Sequence, residues 1–196
     1  MLLLQLKKRL MAIAGLLLTT YLLFHMLGNL SFFSPQHYAA FYAVYNHPFI
    51  RWPLWLLVVA ALALHVVVAL QTRLHNRKAR LQSYQYPRRR HIPSWLVSIV
   101  ITLILLFILW HLIQMWSFGE VDIYQQTQAL FRSAWQVVLY LGGLLLLGLH
   151  LQHSLTNVLQ TMGITAKQYY VLVTLLVVLL IVGFSAVPLA AYWKTA

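Results

Sequence analysis

Apolar residues dominate five windows of this chain, each about 20 residues long: 11–33, 53–73, 94–117, 134–157 and 168–192. Runs such as LWLLVVAALALHVVVAL leave a water-soluble fold too little polar surface. At ~1.5 Å of rise per residue each window crosses a ~30 Å hydrocarbon core as a helix. The pattern therefore predicts an all-α membrane protein of five transmembrane helices, a single transmembrane domain over residues 1–196. Between the first two windows, SPQHYAAFYAVYNHPFIRW is too polar and aromatic to span. It is expected to lie along the outer interface, with Tyr38, Tyr42, Tyr45 and Trp52 at headgroup level. LHNRKARLQSYQYPRRRHI makes a basic connection after the second window, and FGEVDIYQQTQALFRS makes a loop after the third. Prolines 35, 48, 53, 87, 93 and 188 are expected mostly at helix ends, where a missing amide proton costs least.

Composition narrows the class. The chain is 62% hydrophobic and 8% charged, so five crossings leave almost nothing for a soluble domain. It has no cysteine, which excludes disulfides and any thiolate or iron–sulfur site built from this chain alone. The start, MLLLQLKKRLMAIAGLLL, has its basic residues after a first apolar stretch and no small-residue cleavage signal, and reads as a retained helix rather than a signal peptide. The net charge of +12 is distributed as a topology signal. Lys7, Lys8 and Arg9, then Arg73, Arg77, Lys78, Arg80, Arg88, Arg89 and Arg90, then Lys167 fall on one face; Arg51, Arg132 and Lys194 fall on the other. The positive-inside rule then places the N-terminus in the cytoplasm and the C-terminus outside. The basic face also attracts anionic membrane lipid and suits docking of a soluble partner; no nucleic acid partner is implied.

Four of the apolar segments each carry one deep histidine: His25, His65, His111 and His150. An imidazolium is costly in hydrocarbon, and a neutral imidazole there needs a partner for each ring nitrogen. In the predicted topology His25 and His111 share the outer half of the bilayer and His65 and His150 the cytoplasmic half, about 10 Å apart along the normal. Two depth-matched pairs on four helices suit bis-histidine haem ligation. Small residues on the histidine faces (Ala61 and Ala69, Gly143 and Ser154, Ala14 and Gly28) would give a macrocycle room, although they equally favour close helix packing. The third segment lacks them, with Phe107 and Met115 one turn either side of His111. His153, one turn below His150, competes with it as a ligand but suits a haem-propionate or outer-sphere contact better. His37, His47, His75 and His91 read as surface residues, with His75 and His91 able to join the basic loop in propionate contacts. Two other classes remain open on these residues: a haem-free proton channel or carrier using a histidine relay, and a purely structural membrane anchor.

At these residues the chain resembles the dihaem cytochrome b membrane-anchor subunit of succinate dehydrogenases and quinol:fumarate reductases, the succinate:quinone oxidoreductase family. The matching stretches are RLMAIAGLLLTTYLLFHMLGNL, LLVVAALALHVVVALQTRLHNRKAR, ILWHLIQMW, VDIYQQTQALF and LGLHLQHSLTNVLQTMG, in order along most of the chain. The resemblance implies two haem b, with His65 and His150 on the proximal iron and His25 and His111 on the distal iron. It implies a flavoprotein subunit and an iron–sulfur subunit on the cytoplasmic face, and electron transport to a membrane quinone, menaquinone in the expected case. The succinate or fumarate chemistry would belong to those partners, and the setting would be a bacterial inner membrane. The chain departs from the family at Ser154, where glycine is common, and in lacking a glutamate in the fourth segment, so that proton pathway is not carried over. Glu120 and Asp122 are the only carboxylates. Both fall in the outer loop beside His111, and a quinone site is expected there, with Glu120 the candidate for quinone-linked proton transfer.

Overall fold

The computed structural model describes residues 2–79, 94–118, 122–164, 166 and 168–194, and these form seven α-helices and no strand. They are α1 (Leu2–Leu30), closed by one 3-10 turn at Ser31–Phe33, α2 (Pro35–Tyr45), α3 (Pro48–Ala79), α4 (Ser94–Trp116), α5 (Ile123–Phe131), α6 (Ala134–Thr161) and α7 (Gln168–Trp193). Five of them, α1, α3, α4, α6 and α7, are long and apolar enough to cross a membrane. A helix satisfies its backbone groups internally, which is what a span in lipid requires.

The spans are longer than the apolar windows at several ends. Lys7, Lys8 and Arg9 lie inside α1 rather than before it, and α3 continues through Arg73 to Ala79. An apolar window marks where hydrocarbon is crossed; a helix can run on into polar surroundings while its backbone stays hydrogen-bonded. Pro53 and Pro188 likewise lie within α3 and α7 instead of ending them. Both loops on the predicted outer side are helical in part. Pro35 starts α2, as its fixed φ favours at a first turn. Asp122 caps α5, its carboxylate accepting from the Gln125 amide at 3.2 Å, at a left-handed φ of 42° that aspartate tolerates better than most residues.

α1 lies at the centre of the bundle, packed against α3, α6 and α7, while α6 also packs against α7 and α4. Two clusters fill the core. One joins the end of α1 to α2, α5, the start of α6 and the end of α7 through Phe32, Tyr38, Phe131, Val137, Tyr140, Val187 and Ala191. Tyr38 is therefore buried inside the bundle rather than exposed on its surface. Its ring meets Phe32 edge-on at 5.6 Å, and Phe32 stacks on Tyr124 at 4.8 Å. The Tyr38 hydroxyl donates to Thr127 Oγ1 at 3.0 Å, because Thr127 spends its own proton on the Ile123 carbonyl. Burial raises the pKa of Tyr38 and of Tyr42 beside it, so both remain neutral donors. The second cluster, Met26, Leu151, Leu155, Val173, Val177 and Leu180, ties α1, α6 and α7 together deeper in the bundle.

Because the ends of α1 and α7 and the start of α6 share one cluster, α1 and α7 run the same way and α6 runs opposite. This alternation is the one the five predicted crossings require.

Candidate functional site: two histidine pairs

The four deep histidines come together two by two. The rings of His25 on α1 and His111 on α4 have centroids 6.1 Å apart and planes inclined at 64°. Those of His65 on α3 and His150 on α6 are 6.2 Å apart and perpendicular, at 90°. These are the pairs expected from depth. His153 is exposed and bonds Asn157 at 3.1 Å, so of the two histidines on α6 it is His150 that faces His65. His37, His47 and His75 are exposed as expected. Glu120, His91, Lys167 and the basic stretch 80–93 lie outside the described residues.

The two pairs sit at different levels. Phe184 of α7 packs on His25 at 5.6 Å, whereas Gly148, half a turn before His150, faces Val177 and Ile181. Gly148 is thus level with residues 177–181, about five residues before Phe184, and the two further residues to His150 on the opposed α6 bring the separation to about seven residues, or about 10 Å.

Each pair joins two helices that are not among the main packing partners of the bundle: α1 with α4, and α3 with α6. The contact within each pair is therefore made chiefly by the imidazoles themselves. Two imidazoles that ligate one metal from opposite sides have ring centres about 6.2 Å apart, from a metal–nitrogen bond of about 2.0 Å and about 1.1 Å from each nitrogen to its ring centre. The observed 6.1 and 6.2 Å fit that spacing, and either inclination is compatible, since rotation about the axial bond leaves the distance unchanged. Among the described residues no group of three or more histidine, aspartate or glutamate side chains gathers. A bare ion would find two ligands in each pair; a macrocycle that brings its own four nitrogens needs only two. His65 Nδ1 is buried with no hydrogen-bond partner. A buried ring nitrogen without a partner carries a desolvation cost that only a group engaging that nitrogen would offset. On spacing and donor chemistry, then, both pairs fit a bis-histidine haem.

The surroundings of the pairs correct one expectation. Gly28 and Gly143 do not hold space open: each seats an aromatic ring from another helix, Phe41 of α2 and Phe107 of α4 respectively. Gly15 of α1, not singled out from sequence, faces the His65 ring, where an added Cβ would stand 3.5 Å from its Cε1. Beside His25 opens an apolar cleft of about 390 Å³, within the usual ~300–1,000 Å³ range of small-molecule sites. Tyr21, Phe24, Tyr42, Tyr45, Val58 and His25 are among its walls. Tyr21 stacks on His25 at 5.5 Å and its hydroxyl is 3.4 Å from that of Tyr45.

Sequence reasoning missed Tyr21, Gln114 and Tyr140. Tyr21 and Gln114 had a signal: each is a polar-tipped residue on a histidine's own helical face, four before His25 and three after His111. Tyr140 had none, since only tertiary packing brings it to His111, at 3.1 Å from Nδ1. No protein-family model, curated protein or solved structure matches the chain.

Proposed function

We propose that this chain is the membrane-anchor cytochrome b of a succinate:quinone oxidoreductase, carrying electrons between an iron–sulfur subunit and a membrane quinone through two bis-histidine b haems. The observation that carries the reading is the pairing of four histidines from four spans, with ring centroids at 6.1 and 6.2 Å. His65 and His150 would hold one haem and His25 and His111 the other. Bound there, a haem supplies a reversible one-electron centre, and two at levels about 10 Å apart lead charge along the bundle axis.

The chain's own residues do the rest. The α6–α7 wall between the two levels, with Val177, Leu180 and Ile181, is apolar and keeps water from the path. That same apolar stretch weighs against a histidine proton relay, which needs hydrogen-bonding groups between its members. Eleven of the 14 lysines and arginines lie on the face proposed as cytoplasmic, where they would meet the flavoprotein and iron–sulfur subunits. A quinone is proposed to react at the opposite side, close to the His25–His111 pair. The cleft at His25 is its best seat, largely apolar in lining and bounded by the phenols of Tyr21, Tyr42 and Tyr45, which could reach a quinone oxygen. Glu120, in the loop after α4, is the proposed proton group at that surface.

Histidine replacement in the intact complex tests the reading. His150→Ala is expected to lose one of two haems and His25→Ala the other, while His153→Ala keeps both. Two haems retained in His150→Ala, or one lost in His153→Ala, would overturn the ligand set.

A further inference from the structure

Tyr140 sits on α6 with 8% of its surface exposed, wedged edge-on against Phe107, Trp110 and Phe131. Its phenol reaches α4 at two points. The oxygen lies 2.7 Å from Gln114 Oε1 and 3.1 Å from His111 Nδ1. A phenol has one proton, and an amide oxygen only accepts. The proton is therefore committed to Gln114, and the phenol oxygen turns a lone pair to His111. For that contact to be a hydrogen bond, Nδ1 must carry the hydrogen, which leaves the free lone pair on Nε2. The amide is held in turn: Gln114 Nε2 donates to Gln136 Oε1 of α6 at 3.4 Å. His111 is thus fixed at its Nδ1 side by a phenol–amide chain across the α4–α6 contact, while the corresponding nitrogen of His65 has no partner.

We infer that Tyr140 and Gln114 are positioning residues that lock His111 in the Nδ1–H tautomer, aim its Nε2 lone pair at the metal, and raise the basicity of that nitrogen. The haem consequence rests on the function proposed above; the tautomer does not. A ligating imidazole that donates through its other nitrogen is oriented and made a stronger ligand, and a donor chain that continues beyond the first acceptor polarises it further. A stronger imidazole donor favours the more positive iron, so the His25–His111 haem is held at a lower potential than the same ligands would give without the chain.

Two measurements separate the parts. In the full chain without haem, ¹⁵N resonances of labelled histidine, with His111 assigned through His111→Gln, are expected to report a protonated Nδ1. In Tyr140→Phe, which keeps the ring packing, that preference is expected to be lost; Gln114→Leu, which frees the phenol proton to turn toward His111, weakens it without touching Tyr140. In the haem-loaded complex, Tyr140→Phe is expected to raise the midpoint potential of one haem only and to weaken its binding about 10–100-fold, the usual range for such partners. An unprotonated Nδ1 in the unsubstituted chain, or a tautomer unmoved in both variants, overturns the proposal. A chain that shows the tautomer yet binds no haem would keep the relay and sink the proposed function instead.

Discussion

Gly143→Ala places a methyl group where the structure has no room. A Cβ there would stand 2.6 Å from Phe107 Cε2, 2.7 Å from Cδ2 and 2.8 Å from Cγ, so the ring must move. Phe107 in turn stacks on His111 at 6.2 Å with planes 16° apart, one helical turn away on α4. Displacing it shifts either the stack or α4 itself, which is held in the bundle chiefly by α6. Overpacking of this kind costs typically 1–3 kcal/mol. If that cost falls on the geometry of the His25–His111 pair, haem affinity there drops about 5- to 150-fold. The inner pair, about 10 Å away and on other contacts, should be unaffected. The assay is titration of haem into the full chain in detergent, followed by the low-spin absorption of each site, with thermal unfolding of the haem-free variant as the control for stability. Affinity at the His25–His111 site equal to that of the unsubstituted chain would show that Phe107 does not hold His111 in place.

Two further outcomes follow from contacts already described. Tyr38→Phe removes the buried bond to Thr127 at 3.0 Å but leaves Thr127 bonded to Ile123, so thermal or denaturant unfolding should report a loss of about 1 kcal/mol with haem content unchanged. Glu120→Gln is expected to slow quinone-linked turnover while both haem spectra, and the activity of the soluble subunits toward an artificial acceptor, stay intact; unaltered quinone turnover would remove Glu120 from the mechanism.

How much of this could be read from the sequence depended on whether a signal was local or tertiary. Apolar runs located all five spans, because lipid leaves a helix few alternatives. Helix ends were less legible: the basic residues 7–9 and Arg73 mark where hydrocarbon stops, and the backbone hydrogen bonds run past them. The pairing of His25 with His111 and of His65 with His150 was legible because rise per residue turns position into depth, and depth leaves few partners. The role of the glycines was not. Gly28 and Gly143 look like room beside a histidine, and only the neighbouring helices reveal that Phe41 and Phe107 occupy that room. Asp122 could be read as a loop acid available for proton chemistry; its carboxylate caps α5 instead, which leaves Glu120 as the remaining candidate. Tyr38 carries the interfacial signature of an aromatic next to a span, yet it is core, because α2 and α5 fold over the end of the bundle and bury it.

The central claim is that these histidine pairs hold haem. A reduced-minus-oxidised absorption spectrum of the purified complex, together with a haem count per chain, tests it most directly. The expected result is b-type low-spin bands and two haems for each copy of this chain, one lost with either pair of histidines. A purified, folded complex with no haem bands would contradict it, and a count of one would leave one of the two pairs without the role assigned to it.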